Sequence, residues 1–214
     1  MNAFLKILKL LLITALFFFL LSFTLKNEHK NERKINLIEF DKSMERFVTK
    51  DEILASCFNW QDDNQIQNLD VAKIEDNIRQ IPQINDVNVY LNHNGNVDIK
   101  LNERVPILRI YDGKSSYYLD KNCKIMPLSK SFTARKLLVS GDLEGFAVDD
   151  LCKLFYIIES NDFYKNLITQ ISLKKNNVML ITRIRGLEIN IGNLNFLETK
   201  FNNLMSFYSK IIKF

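Results

Sequence analysis

Residues 86–101 read DVNVYLNHNGNVDIKL, and this stretch decides the fold of the middle of the chain. Apolar and polar residues alternate over 86–91 and again over 97–101, which is typical of strands with one buried face. Between them lies Asn94-Gly95, a pair that favours a type I′ turn because both central residues of that turn adopt positive φ. The sequence therefore predicts an antiparallel hairpin here.

A strand and two helices precede this hairpin. Residues 35–40 alternate in the same way and predict a short strand. Thr49 and Glu52 form a capping box that opens one helix, and Asp70 is placed to cap a second helix. The predicted order up to residue 106 is strand, helix, helix, strand, strand.

The second half of the chain is richer in strands. Turn residues separate short strands predicted at 107–111, 116–119, 124–126 and 137–139. A helix is predicted at 149–159, and then a meander of strands at 168–173, 178–183 and 187–191, and finally a long helix up to about residue 211. The predicted fold class is α+β.

The N-terminus contains an apolar segment, residues 10–25, with no charged side chain. Extending it back to Phe4 gives about 33 Å of helix, and the hydrocarbon core of a bilayer is ~30 Å thick. We expect a transmembrane helix at 10–25, between a short tail at 1–9 and a linker at 26–34, so that lipid is one partner. A cleaved signal peptide is the alternative, with a poor cleavage site near Ser22. Flanking charge does not decide the orientation.

The distribution of charge argues against nucleic-acid binding. Residues 1–34 hold six Lys or Arg and two Asp or Glu, which accounts for the net charge of +4 of the whole chain. The remaining chain is neutral, whereas a nucleic-acid-binding body shows a basic footprint. We therefore expect no nucleic-acid partner.

Within that neutral remainder, residues 164–214 are basic and the preceding part is acidic. Lys174, Lys175, Arg183 and Arg185 are the candidate partner-binding residues of the basic part. Arg183 and Arg185 are two residues apart and would share one face of a strand. The alternative is that all four are ordinary solvated residues of strands and turns.

Catalytic and metal-binding chemistry is not indicated. The two histidines, His29 in the linker and His93 at the hairpin tip, are expected to be solvated, and no phosphate-loop, dinucleotide, nucleophile-elbow or zinc-protease motif is present. We expect no enzyme, no cofactor, no metal and no small-molecule substrate. The three cysteines, Cys57, Cys123 and Cys152, are odd in number and scattered, so we expect no disulfide framework and inert buried thiols at Cys57 and Cys152.

Five short motifs follow one another in order along the chain. They are PQINDVNV at 82–89, NERVP at 102–106, YYLD at 117–120 with MPL at 126–128, LVSG at 138–141, and Gly192 with KFNNL at 200–204. Together they resemble motifs of the FtsQ/DivIB family of cell-division proteins. The predicted strand–helix–helix–strand–strand order resembles the POTRA domain that this family carries. Cys123 stands where the family usually has Gly, so we expect Asn122 to supply the positive φ of that turn.

The resemblance implies a POTRA domain at 35–106 and an FtsQ-type β domain at 107–214, whose last strand is apparently missing. It also implies a non-enzymatic division scaffold of the cell inner membrane, with its N-terminus cytoplasmic and its body periplasmic. Its expected partners are other divisome membrane proteins of the FtsB/FtsL type, which are recruited by strand addition at a sheet edge. The alternatives are a POTRA-containing secretion or envelope-assembly factor and an anchored enzyme.

Overall fold

The structure, a computed structural model, describes residues 2–28, 34–41, 46–57, 70–175 and 177–211. Most of the predicted linker, including His29, lies outside the described residues. The described chain forms an N-terminal helix, then a three-stranded sheet and a seven-stranded sheet, each with its own helices. This mixed architecture confirms the predicted α+β class.

The first helix, α1, spans Asn2–Glu28. Ile7 and the large apolar side chains between residues 10 and 21 are exposed to between 40% and 68%. None of the helices, over the residues that the structure describes, combines the length and the apolarity that a membrane crossing requires.

The N-terminal unit is built on the three-stranded sheet. It comprises β1 (Ile35–Phe40), α2 (Lys50–Cys57), α3 (Val71–Arg79), β2 (Ile84–Leu91) and β3 (Val97–Glu103). The strand order is β1-β3-β2, with β1 parallel and β2 antiparallel to β3. Thr49 and Glu52 make the reciprocal capping bonds at α2, and Asp70 accepts from Ala72 N and Lys73 N at α3. The element order is the predicted one.

The hairpin turn between β2 and β3 differs from the predicted type I′ turn. Gly95 has φ 76°, whereas Asn94 is not among the described residues with positive φ. Gly95 N donates to Asn92 O at 2.9 Å, and Asn92 N donates to Asn96 O at 2.8 Å. This pattern is a longer loop with one left-handed glycine. Asn92 makes it favourable, because its Oδ1 accepts from Asn94 N and Asn96 N.

The C-terminal unit is built on the seven-stranded sheet, in the order β10-β9-β8-β7-β4-β5-β6. Its strands are β4 (Pro106–Tyr111), β5 (Ser116–Asp120), β6 (Ile125–Pro127), β7 (Leu137–Gly141), β8 (Ile168–Lys174), β9 (Asn177–Thr182) and β10 (Glu188–Gly192), and its helices are α4 (Val148–Glu159), α5 (Asp162–Leu167) and α6 (Leu197–Ile211). Strands β4, β7 and β8 run parallel, and α4 and α5 form the crossover from β7 to β8. Strands β8, β9 and β10 form the predicted meander.

The helices of the C-terminal unit cover the sheet with one continuous core. Buried residues from most of its strands and from all three helices contribute, among them Leu108, Val139, Leu154, Leu167, Leu180 and Phe201. The short helix α5 was not predicted, because six residues are too few to show a helical period.

A disulfide joins Cys123 to Cys152, with a Cα–Cα distance of 6.2 Å. This overturns our expectations of no disulfide and of an inert thiol at Cys152, whereas Cys57 is a free, buried thiol as predicted. Cys123 lies in the turn between β5 and β6, and Cys152 lies in α4. The prediction failed because the parallel crossover brings α4 over the β5–β6 turn, and spacing along the chain does not show this proximity. Asn122 was the wrong choice as well: Cys123 itself adopts φ 60°.

Gly141, at the end of β7, packs closely against the backbone of β8. Its φ is 116°, and a Cβ at this position would lie 2.1 Å from Leu173 O. Gly141 and Leu173 are register partners in the parallel pair. The last position of the LVSG motif therefore requires glycine for two reasons: the backbone of β8 leaves no room for a Cβ, and φ is positive.

The two units share part of one core. Tyr118, Met126 and Ala134 belong to the C-terminal unit in sequence, yet they pack into the buried cluster of the N-terminal unit. Tyr118 is fully buried; its hydroxyl donates to Ala134 O at 3.2 Å and accepts from Ala134 N at 3.0 Å. A hydrogen bond also crosses between the units: Ser131 Oγ donates to Phe47 O at 3.0 Å. The two units are therefore in direct contact through the β5–β6 hairpin and the segment that follows it.

Candidate interaction surfaces

Strand β10 is one edge of the seven-stranded sheet. It pairs with β9, and no other described strand pairs with its opposite side. Thr182 N donates to Leu187 O. Hydrogen-bonded and non-hydrogen-bonded residue pairs alternate along an antiparallel ladder. The main chain of Ile189 therefore bonds to β9, whereas the N–H groups of Glu188 and Asn190 face the open edge. Such an edge can accept an added strand.

The opposite edge of that sheet is less suitable for strand addition. Strand β6 is only three residues long and ends at Pro127, which has no N–H to donate. Its middle residue, Met126, is fully buried in the junction between the units. Of the two edges, β10 is the one that can pair with another chain.

Exposed apolar side chains flank β10. Leu187, directly before the strand, is 54% exposed, and Phe196, between the strand and α6, is 82% exposed. Phe196 also has φ 54°, an uncommon conformation for an aromatic residue. A polypeptide along β10 would have an apolar contact at each end of the strand.

The four predicted basic residues form two separate pairs. Lys174 ends β8 and Lys175 lies in the turn after it, whereas Arg183 and Arg185 lie in the turn between β9 and β10. These turns are at opposite ends of β9, about 20 Å apart at ~3.3 Å per residue. Lys174 Nζ also lies 3.8 Å from Glu188 Oε2 on β10.

The predicted shared strand face of Arg183 and Arg185 was therefore wrong. Strand β9 ends at Thr182, and Arg185 and Gly186 both have positive φ, at 54° and 64°. The sequence "TRIRG" alternates as a strand does, but its glycine allows a tight turn instead. Partner binding by these residues stays a prediction.

A buried ion pair fixes the junction of the two units. Arg104 Nε donates to Asp120 Oδ2 at 2.8 Å, and the other two guanidinium nitrogens donate to Pro82 O and Lys124 O at 2.8 and 3.0 Å. Asp120 also accepts from Asn122 N and Lys124 N. Burial by itself would raise the pKa of Asp120, but the hydrogen bonds from Lys124 N and Arg104 outweigh burial and lower it.

Glu103, directly before Arg104, holds the segment that leads into α2 within the N-terminal unit. Its carboxylate accepts from Phe47 N at 2.8 Å and from Val48 N at 2.7 Å. Burial raises the pKa of Glu103, and these two hydrogen bonds offset only part of that rise. The NERVP and YYLD motifs meet in space through Arg104 and Asp120, which their separation in sequence did not indicate.

The described residues offer little for catalysis. His93 is exposed at the hairpin loop, and no group of three or more metal-ligating side chains occurs among the residues described. Cys57 is buried in α2, and burial raises the pKa of its thiol to about 11, with a small opposing contribution from Ser56. Such a thiol is unreactive at neutral pH.

The two packed units with an open sheet edge define a body suited to protein recognition. The model of the family described as "FtsQ/DivIB, C-terminal related" matches residues 105–214, which is more than half of the chain. The chain belongs to the FtsQ/DivIB family, whose members are non-catalytic cell-division proteins.

One solved structure gives a weaker likeness. It is the major extracytoplasmic domain of the trans isomer of the cell-division protein DivIB from Geobacillus stearothermophilus. The two chains are 14% identical with a TM-score of 0.36, and the match covers 51% of this chain and 94% of that one. No curated protein sequence matches this chain.

Proposed function

We propose that this protein is a non-enzymatic scaffold of bacterial cell division, which recruits other membrane-anchored division proteins through its folded body. The observation that carries the proposal is the family match over residues 105–214. The β-α-α-β-β order of the N-terminal unit supports a POTRA domain at 35–106.

The proposed location is the cell inner membrane, with a cytoplasmic N-terminus, α1 as a single-pass anchor and a periplasmic body. The uncharged sequence of residues 10–25 and the exposed apolar side chains of α1 support the anchor. The Cys123–Cys152 disulfide supports the periplasmic body, because structural disulfides persist in oxidising compartments and are rare in the cytosol.

Strand addition at β10 is the proposed mode of recognition, with a partner of the FtsB/FtsL type. The outward N–H groups of Glu188 and Asn190 would bond the partner's main chain, and Leu187 and Phe196 would contact its side chains. Lys174 and Lys175 at one end of β9, and Arg183 and Arg185 at the other, would contact acidic groups of the partner.

Depletion tests the function. A division scaffold predicts long cells without septa when the protein is withdrawn, and restored septation when the wild-type chain is supplied. Normal septation after depletion would contradict the proposal.

A single-residue variant tests the mode of recognition. Asn190→Pro removes one outward N–H without removing a bond to β9, so it is expected to abolish complementation and partner recruitment. Asn190→Ala is the matched control: it loses the side-chain bond to Gly192 N but keeps the main-chain N–H. Equal complementation by the two variants would exclude strand addition at β10.

A further inference from the structure

A groove of about 650 Å³ lies where strands β4, β7 and β8 begin. These three strands are parallel, so their first residues come together at one end of the sheet. The floor of the groove is apolar and belongs to the core of the C-terminal unit: Ile107, Phe155, Ile158 and Ile168 line it. The volume is within the range of about 300–1,000 Å³ that is usual for binding clefts.

Four cationic side chains surround this apolar floor. Arg135 and Lys136 precede β7, Lys165 lies in α5, and Arg183 follows β9. Glu159 is the one acidic residue of the lining, and it is already paired with Lys165.

The two arginines are exposed, and their guanidinium groups make no hydrogen bond or ion pair with any other residue that the structure describes. Two free guanidinium groups next to an apolar floor can bind a ligand that carries both carboxylates and an apolar group.

We infer that this groove binds an acidic, extended segment of a partner protein, with a bulky apolar side chain on the floor and carboxylates at Arg135 and Arg183. The inference rests on the proposed function, in which the partner is another division protein. It adds a second contact site, which shares Arg183 with the one proposed along β10, and gives the chemistry of the segment that is recognised.

The geometry favours a peptide over a small inorganic anion. The cations lie on three separate elements around the floor, whereas a site for one small anion has donors that converge on a point. The helix end at the groove is the C-terminal end of α4, at Ile158 and Glu159. That end carries a partial negative charge, whereas helices bind anions at their N-termini.

The test uses the purified full chain in non-ionic detergent and a fluorescein-labelled peptide of sequence ELDFEL, followed by fluorescence anisotropy. The probe with amides in place of carboxylates, QLNFQL, is the matched ligand control. We expect the acidic probe to bind at least tenfold more tightly than the amide probe, and to bind more weakly in 300 mM than in 50 mM salt.

Variants locate the binding. Arg135→Ala combined with Arg183→Ala is expected to weaken binding of the acidic probe at least tenfold. Lys114→Ala combined with Lys210→Ala removes the same charge from exposed lysines that do not line the groove, and is expected to leave binding unchanged. Unfolding midpoints of both double variants, equal to that of the wild type, show that neither has lost its fold.

Four results would overturn the inference. The first is that the acidic probe does not bind below about 1 mM, and the second is that both double variants lose affinity for it equally. The third is that inorganic phosphate displaces the probe at equimolar concentration. The fourth is that the groove variant loses binding to phosphatidylglycerol vesicles but not to the peptide. The last two would identify a small-anion site and a membrane surface. Depletion separates this inference from the proposed role in division: unseptated cells that the groove variant rescues fully would refute the groove and the partner contact proposed for Arg183, but not the role in division.

Discussion

Arg104 Nε and Asp120 Oδ2 are 2.8 Å apart, and both side chains are nearly removed from solvent, at 13% and 2% exposure. Arg104 comes directly after the last strand of the three-stranded sheet, and Asp120 ends a strand of the seven-stranded sheet. The pair therefore joins the two units of the body. The other two guanidinium nitrogens of Arg104 donate to two main-chain carbonyl oxygens, so all three nitrogens of the guanidinium are hydrogen-bonded.

Removing one member of this pair should destabilise the body strongly. We expect Arg104→Ala to lower the free energy of unfolding by about 3–5 kcal/mol, because a buried carboxylate is left without its partner. Denaturant unfolding of the purified protein measures the change. Lys100→Ala is the control: it breaks the exposed Lys100–Glu39 pair and should leave the free energy of unfolding nearly unchanged. Equal effects of the two variants would contradict the role given to Arg104.

The same pair predicts a pH dependence. The folded state lowers the pKa of Asp120 below its ordinary value of 3.8, so the folded state binds fewer protons than the unfolded state between the two pKa values. The stability that Asp120 adds is fully present above the ordinary value and is lost as the pH falls through the folded pKa. Wild type and Asp120→Asn should therefore differ by a constant free energy of unfolding above about pH 5, and the difference should decrease at lower pH.

Glu103 supplies the control for this experiment, because its pKa is raised in the folded state. The difference between wild type and Glu103→Gln should change in the opposite direction: wild type loses relative stability as the pH rises through the ordinary Glu value and the folded pKa. Trends of the same sign for the two variants would exclude the assigned shifts.

The disulfide predicts a thiol count. Denatured, unreduced protein should show one reactive thiol, at Cys57, and reduction should raise the count to three. Cys123→Ser combined with Cys152→Ser should lower the free energy of unfolding by about 3–4 kcal/mol, the value that chain entropy gives for a sequence separation of 29. In the Cys57→Ala variant the disulfide stays in place, so the thiol count should be lower by one both before and after reduction. Three reactive thiols without reduction would show that the disulfide does not form.

Gly141 should not tolerate a side chain. Gly141→Ala combines a positive φ with a Cβ at 2.1 Å from Leu173 O, so we expect a loss of more than about 3 kcal/mol in the free energy of unfolding, or no folded protein. Gly113 has a positive φ as well, but a Cβ added there would meet nothing within 4 Å. Gly113→Asn should therefore cost less than about 1 kcal/mol, since Asn tolerates this conformation. Thermal unfolding distinguishes the two.

The sequence predicted those features that depend on neighbours along the chain. The alternation at 35–40 and the capping box of Thr49 and Glu52 both predicted elements whose ends agree with the structure within a residue or two. These signals are local, because a cap or a period of two needs only a few consecutive residues.

Features that depend on tertiary proximity were missed. The Cys123–Cys152 bond, the meeting of Arg104 with Asp120 and the groove below Arg135 and Arg183 all require the order of strands in the sheet, which periodicity does not give. One signal was available for the ion pair: Arg104 and Asp120 carry opposite charges and belong to two of the motifs on which the family resemblance rests.

The placement of Tyr118 limits how this protein can be divided or recombined. Its ring and the side chains of Met126 and Ala134 complete the core of the N-terminal unit, although all three follow the last strand of that unit in sequence. A fragment that stops at residue 106 would leave a hole lined by Phe47 and its neighbours, with apolar surface open to water. Exchange of the first unit between relatives should therefore succeed only when the β5–β6 hairpin is carried along with it.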